Sequence, residues 1–167
     1  MHKSKQWISK LKLNPHPEGG FYSETYRSDE MLLRSSLDDR YAGSRSISTS
    51  IYFLLEGNQF SAFHKIKSDE LWHFYDGSAV KLYLISEDGT LEIKVVGINI
   101  NKNELPQITI PKNIWFAAEP IKKENYTLVG CTVAPGFDFN DFELGKRKEL
   151  LQRFSQHKDL IIRFTRE

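Results

Sequence analysis

Short β-like runs separated by turn residues fill the middle of this chain, and they constrain its fold more than any other feature. Between Arg45 and Ala134 the runs are rich in β-branched and aromatic residues, and turn signals recur about every 8–12 residues. Asp88-Gly89 stands between two alternating runs, which is a strong hairpin signal. The pattern predicts an all-β sandwich or barrel of roughly eight to ten strands.

Helical periodicity is confined to the two ends of the chain. Residues 3–12 predict a short helix that ends at the two prolines which follow, and a second apolar stripe lies between Gly145 and Asp159. Residues 28–45 predict a long loop that could hold a helical turn around Met31–Leu33, and the apolar tail Leu160–Phe164 predicts a strand or a last turn. The predicted strands are Phe21–Arg27, Ile47–Leu55, Gln59–Lys67, Glu70–Tyr75, Ala79–Ile85, Leu91–Val96, Gln107–Ile110, Ile114–Ala117, Tyr126–Ala134 and Phe137–Phe139.

Length and charge narrow the class of protein. The 167 residues predict one domain, residues 1–167, and 23 basic against 22 acidic residues indicate neither a nucleic-acid nor a membrane partner. The single cysteine, Cys131, excludes an internal disulfide framework and is typical of a reducing compartment. The first residues contain no apolar segment of a signal peptide, so we expect a cytoplasmic protein.

The segment from Gly57 to Gly77 holds the candidate site, because it brings His64, Glu70 and His73 close together in sequence. Strand alternation turns His64 inward among apolar neighbours, where a lone histidine is most often a core residue satisfied by one hydrogen bond. Glu70 follows six residues later, across a polar turn, so an antiparallel hairpin would bring the two side chains together. A carboxylate that holds one imidazole nitrogen makes the other a competent base, whereas a plain buried ion pair is the structural alternative.

The position of His73 stays open on sequence grounds. Regular alternation from Glu70 puts Trp72 on the side of the carboxylate and His73 on the other face, whereas a β-bulge would turn His73 into the site. His64, Glu70 and His73 together have the ligand types of a facial triad, so a divalent metal could bind, but none is required. The further candidates are Tyr52 as the catalytic acid and His73, Trp72, Glu24 and Arg45 as ligand-binding residues.

Near His64 the sequence resembles the first motif of the cupin superfamily, which has a glycine, a His-x-His pair, a glutamate and a closing glycine. Here these positions read Gly57, His64-Lys65-Ile66, Glu70 and Gly77, so Ile66 replaces the second histidine. The second cupin motif would place a metal-binding histidine soon after Pro111-Lys112-Asn113, where Ile114-Trp115-Phe116 supplies none. The resemblance implies a jelly-roll barrel, a double-stranded β-helix, in which two usual metal ligands are missing.

A closer resemblance runs from about Leu13 to Phe142, to a small single-domain cupin family of no settled activity. Four blocks of sequence carry it: Leu13–Gly20, Ile51–Leu55, Ser68–His73 and Val133–Phe139. The resemblance implies a homodimer, and the edge strand Phe21–Arg27 suits cross-chain pairing. A weaker likeness links Gly20–Tyr26 and His64 to the dTDP-sugar epimerases, which are metal-free cupins.

Three functions remain open at this stage. The first is a metal-free isomerase or epimerase acting on a small molecule, sugar-like or nucleotide-linked, with His64 as base, Glu70 orienting it and Tyr52 as acid. The second is a metal-dependent cupin oxygenase or isomerase, and the third is a module that binds a metabolite without catalysis. The density of aromatic residues, 13%, favours an apolar-walled pocket for an organic ligand in each case.

Overall fold

The computed structural model describes residues 2–166 and builds them around two antiparallel sheets. The strands are β1 (Asn14–Pro15), β2 (Phe21–Arg27), β3 (Met31–Leu32), β4 (Arg45–Ser46), β5 (Thr49–Glu56), β6 (Ser61–Lys65), β7 (Asp69–Gly77), β8 (Val80–Ile85), β9 (Leu91–Val96), β10 (Gln107–Ile110), β11 (Trp115–Pro120), β12 (Tyr126–Ala134) and β13 (Glu143–Leu144). The helices are α1 (Lys3–Lys10), α2 (Arg147–Arg153) and α3 (Lys158–Arg163), and short 3₁₀ turns join several of these elements.

The larger sheet has the strand order β1-β2-β5-β12-β7-β10, and the smaller sheet has the order β13-β6-β11-β8-β9. Strands β3 and β4 form a separate two-stranded ribbon. Consecutive strands β6 and β7 belong to different sheets, so the chain crosses from one layer to the other between Lys65 and Asp69. Crossings of this kind are what set a jelly roll apart from a simple meander.

Most strand predictions are confirmed. Four strands have the predicted bounds, Phe21–Arg27, Leu91–Val96, Gln107–Ile110 and Tyr126–Ala134, and β8 pairs with β9 around Asp88-Gly89. One expectation was wrong: the run Phe137–Phe139 is not a strand, because the chain turns there into a 3₁₀ turn at Phe139–Asp141. Two others are confirmed only in part. The tail forms the last helix, α3, and not a strand, and the loop of residues 28–45 has its helical turn at Arg34–Ser36, after the short strand β3.

Two apolar clusters lie on the two faces of the smaller sheet. The first fills the space between the sheets and includes Phe53, Trp72, Leu82 and Phe116. The second lies on the outer face, beneath the C-terminal helices, and joins Phe63, Tyr83, Ile85, Trp115, Ala117, Leu150, Phe154, Ile161 and Phe164. Alternate residues of β8 and β11 supply the two clusters, as a strand buried on both faces requires.

The N-terminal helix packs on the outer face of the larger sheet. Trp7, Ile8 and Leu11 contact the cluster formed by Leu13 and Leu54, which confirms the predicted apolar side of the helix. The indole N–H of Trp7 donates to Asp76 at 2.8 Å and fixes the helix to β7. Within residues 2–166 no helix combines the length and the apolarity that crossing a bilayer would require.

Candidate functional site

A cavity of about 650 Å³ opens between the two sheets. Its volume suits a small organic ligand, and its wall combines aromatic rings with a few titratable groups. The chemistry of the wall comes from His16, Glu18, His64, Glu70 and Cys131. The remaining lining residues are Asn14, Tyr22, Ser23, Glu24, Arg27, Ile51, Phe53, Ile66, Trp72, Val133, Phe137, Asp138, Phe139 and Phe142.

Glu18 reaches this cavity from the loop between β1 and β2. Gly19 and Gly20 follow it with φ values of 117° and 72°, where side chains are strained. A Cβ on Gly19 would also meet the carbonyl oxygen of Phe60. The carbonyl of Glu18 accepts from the backbone N–H of Ala62 at 2.8 Å, so this loop lies against β6 and presents the carboxyl group to the interior.

His64 and Glu18 form a buried pair. His64 is 2% and Glu18 6% exposed, and Nε2 of His64 lies 3.0 Å from Oε2 of Glu18. The other ring nitrogen, Nδ1, lies 2.8 Å from the carbonyl oxygen of Ala62. A carbonyl only accepts, so Nδ1 must carry a proton and donate. In the neutral ring Nε2 is then an acceptor, and the proton between it and Oε2 must come from Glu18.

Burial favours this neutral arrangement of the pair. Desolvation lowers the pKa of His64 from 6.5 to about 3. The pKa of Glu18 is raised well above its ordinary value, by burial first and by the charge of Glu70 second. Ser61 opposes the shift by donating from Oγ to Oε1 of Glu18 at 2.8 Å. The upward shift of this pKa and the acceptor role of Nε2 both favour the protonated form of Glu18, with its acidic hydrogen directed at His64.

His16 completes this side of the cavity. Its Nδ1 accepts from the backbone N–H of Glu18 at 3.4 Å, so the proton of the neutral ring lies on Nε2. Burial lowers the pKa of His16 to about 4, and Tyr22 packs edge-on with ring centroids 4.6 Å apart. The ring is thus uncharged near neutrality.

Glu70 faces the cavity from β7, in the opposite sheet. Burial raises the pKa of its carboxyl group from 4.5 to about 7, and a hydrogen bond from the Cys131 thiol opposes the rise only in part. Within residues 2–166, Nε1 of Trp72 is buried and makes no hydrogen bond. The Cys131 thiol has a pKa raised well above its ordinary value, by burial first and by the charges of Glu70 and Glu18 after it. Near pH 7, Glu70 is the group poised to take up or release a proton.

The predicted hairpin between His64 and Glu70 is wrong. Strand β6 pairs with β11 and β13, whereas β7 pairs with β10 and β12. Both side chains nevertheless line the cavity, because each sheet turns one face toward it. The carboxyl group beside His64 is that of Glu18 rather than Glu70.

Three of the predicted site residues do not line the cavity. Tyr52 lies on the outer face of β5, 5.9 Å from Tyr75 between ring centroids, since Ile51 and Phe53 occupy the inner face. His73 lies on the outer face of β7, with Nε2 3.5 Å from Oγ1 of Thr132.

The bulge that could have turned His73 inward comes too late in the strand. The register of β7 against β12 shifts between Phe74 and Asp76, beyond His73. Arg45 is occupied elsewhere, in a buried ion pair with Asp141 at 2.6 and 2.7 Å. Trp72 and Glu24 do line the cavity, with Glu24 accepting two hydrogen bonds from Arg27.

The residues present do not fit a metal ion. His64, Glu70 and His73, the predicted ligand set, are not brought together, because His73 is on the opposite face of its strand. Across residues 2–166 no three His, Cys, Asp or Glu side chains are grouped as ligands. In addition, both nitrogens of His64 already lie within hydrogen-bonding distance of oxygen atoms.

His16 and Glu18 line the cavity, although the sequence analysis did not identify either of them as a candidate site residue. The sequence does contain a feature that points to this segment, Pro15–Gly20. Its two prolines fix the backbone angle φ, and only its two glycines leave the backbone free. Such a segment is suited to holding a carboxyl group in one place.

The chain belongs to the cupin superfamily. A family model described as Cupin superfamily (DUF985) matches residues 5–145. This confirms the predicted all-β cupin fold.

Relatives that match over most of this chain agree with the family. An uncharacterized protein of Saccharomyces cerevisiae, YML079W, is 28% identical over 156 residues, which are 88% of this chain and 77% of that protein. Protein SO0799 of Shewanella oneidensis has a TM-score of 0.88 at 37% identity, over 99% of both chains. A hypothetical protein of Leishmania major has a TM-score of 0.88 at 32% identity, over 98% of both.

A more distant structure shows the fold alone. Oxalate decarboxylase of Bacillus subtilis aligns with a TM-score of 0.56 at 14% identity, over 94% of this chain but 37% of that one. The likeness to the dTDP-sugar epimerases stays a prediction.

Proposed function

We propose that the cavity binds a small organic molecule and moves a proton on it, as an isomerase or epimerase would, with the protein's own side chains as acid and base. The observation that carries this proposal is the placement of two acid–base units in opposite sheets. One is the His64–Glu18 pair, which holds its proton, and the other is Glu70, whose pKa of about 7 lets it accept one. Groups with pKa values displaced in this way mark candidate catalytic centres.

The two units can complete a proton transfer without a co-reactant. The carboxylate of Glu70 accepts a proton from a carbon next to a carbonyl group, and the electrons of the broken C–H bond form an enolate. Glu18 delivers its proton to the enolate and becomes a carboxylate, which Ser61 still stabilises by donating to Oε1. Exchange with water then removes the proton from Glu70 and restores the one on Glu18. One proton leaves the ligand and one arrives, so nothing is oxidised or reduced. Glu18 takes the role that Tyr52 was predicted to fill.

Proton exchange with deuterated water tests the proposal. The protein is incubated in D₂O with a panel of small hydroxy ketones and amino ketones, and ¹H NMR follows the loss of signal next to the carbonyl. Glu70→Gln and His64→Asn should each slow the exchange by on the order of 100-fold or more, since a positioned acid or base contributes that much. His73→Asn is the matched control, because His73 is on the outer face of the strand that carries Glu70.

The two alternative functions, a binding module and a metal-dependent enzyme, predict different experimental results. A ligand that binds without any exchange would support a binding module instead of an enzyme. Elemental analysis that finds a stoichiometric metal ion, removed by chelation together with activity, would support the metal-dependent alternative.

We also propose that the protein is a homodimer. Strand β1 covers β2 only at Phe21 and Tyr22, so within the described chain the edge of β2 from Ser23 to Arg27 is open to a partner strand on that side. Tyr26, on this stretch, is 55% exposed. Light scattering at several concentrations should give about twice the chain mass; a mass of 19.4 kDa throughout would contradict the dimer.

A further inference from the structure

The cavity wall carries one permanent positive charge, and that charge is already neutralised. Among the lining residues only Arg27 is a lysine or arginine. Its Nε and Nη2 donate to the two carboxylate oxygens of Glu24 at 2.9 and 2.7 Å. Both of its terminal nitrogens also donate to the carbonyl oxygen of Phe137 at 3.1 Å. Arg27 is therefore bound within the wall and offers little to an anionic ligand.

The remaining titratable groups of the wall are neutral or negative. His16 and His64 stay uncharged near neutrality because burial lowers the pKa of each. Glu70 and Asp138 line the cavity without a cationic partner among the described ion pairs. A ligand carboxylate or phosphate would thus meet negative charge in a poorly solvated space, which costs free energy.

Aromatic rings line another part of the cavity wall. Phe137 and Phe139 have centroids 5.0 Å apart, and Phe142 lies 6.1 Å from Phe139 and 5.5 Å from His64. Aromatic faces carry partial negative charge and attract cations, an attraction that strengthens when water is excluded.

We infer that this cavity is selective for a small organic cation, an ammonium compound with an apolar body, over neutral and anionic molecules of the same shape. The inference rests on the proposed function and names the charge class of its ligand. It excludes the nucleotide-linked substrates considered from sequence, because a diphosphate would find no free cation among the lining residues.

A pH dependence follows from the position of Glu70. A cation beside Glu70 favours its carboxylate form, so binding lowers the pKa of this group and releases a proton. The affinity for a cation should therefore rise as the pH increases through about 7, the pKa of Glu70 in the free protein. The affinity for a neutral molecule of the same shape should not rise with pH in this way.

Three probes of one shape test the charge class by titration calorimetry: choline, its neutral carbon analogue 3,3-dimethylbutan-1-ol, and the anion 3,3-dimethylbutanoate. Choline should bind about 10-fold or more tightly than the alcohol, as expected for a cation in a partly desolvated aromatic site. The anion should bind most weakly. Glu70→Gln should remove most of the preference for choline and its pH dependence. Glu87→Gln is the control, since Glu87 lies on the β8–β9 turn with its side chain 80% exposed.

Each other result overturns the inference. Equal affinities for choline and the alcohol, or tighter binding of the anion, would mean that the cavity does not select a cation. Failure of all three probes to bind at millimolar concentration would also count against it. Proton exchange on a neutral or anionic ketone would leave the proposed acid–base function standing while this inference fails, so the two failures are distinguishable.

Discussion

Adjacent residues of β6 show how differently the two faces of one sheet are built. Phe63 points outward into the cluster beneath α2 and α3, where its ring centroid lies 6.3 Å from that of Phe164. His64 points inward to the cavity and holds Glu18 through a hydrogen bond. Both residues are at most 2% exposed, so burial alone does not distinguish them. The two residues differ in their surroundings. Phe63 has mainly apolar neighbours beneath the helices, whereas His64 has polar and titratable neighbours at the cavity.

The two faces of the smaller sheet change the free energy of folding in opposite directions. Burial of aromatic and aliphatic side chains beneath the helices stabilises the fold through the hydrophobic effect. Burial of Glu18, His64 and Glu70 costs desolvation free energy, which hydrogen bonds offset only in part. Buried titratable groups with displaced pKa values are typical of functional sites, so the comparison supports the cavity as the candidate site.

The largest effect is expected on the apolar face. Phe154→Ala removes a side chain that is 1% exposed in the cluster beneath the helices, and should lower the free energy of unfolding by about 3–5 kcal/mol. Urea denaturation measures this loss. The NMR signals of His64, on the other side of the sheet, should not move at low urea. A shift of those signals comparable to that in a cavity variant would show that the two faces are not independent.

A smaller effect of opposite sign is expected in the cavity. Glu70→Gln should stabilise the protein above pH 7, because the folded pKa of Glu70 is raised from 4.5 to about 7 and the wild type must ionise it in a buried site. The folded state binds the extra proton between these two values, so the contribution of Glu70 to stability is present below pH 4.5 and is lost as the pH rises through 7. The full difference is about 3 kcal/mol.

Unfolding free energies of wild type and Glu70→Gln at a series of pH values test this effect. The gap between them should widen between about pH 4.5 and pH 7 and level off above that. A gap independent of pH would mean that Glu70 titrates normally and that the cavity is well hydrated.

The smallest effect is expected on the outer face of the larger sheet. Tyr52→Phe should change stability by no more than about 0.5 kcal/mol and leave proton exchange in the cavity unaltered, because Tyr52 does not line it. The same exchange assay and denaturation series measure both quantities. A large loss of exchange in this variant would restore Tyr52 as the acid and exclude Glu18.

Strand positions could be predicted from the sequence because alternation and turn chemistry are local. The bounds of β2, β9, β10 and β12 and the inward direction of His64 follow from such local signals. The partner of His64 does not, since it depends on which sheet each strand joins. Glu18 is 46 residues away in sequence and meets His64 only because its loop packs along β6. For the same reason the proximity of Glu70 in sequence suggested a hairpin that the fold does not contain.

The short segment Ile66–Ser68 between β6 and β7 has a consequence for how this protein could change in evolution. Side chains of β7 alternate between the two faces, so adding or deleting one residue in the segment would exchange Glu70 and Trp72 for Leu71 and His73 at the cavity. A change of two residues would preserve the faces. The parity of this connection, rather than its composition, thus decides whether β7 presents a carboxyl group or an imidazole to the cavity. Length variants of this segment should fall into two classes, odd and even, with different cavity chemistry.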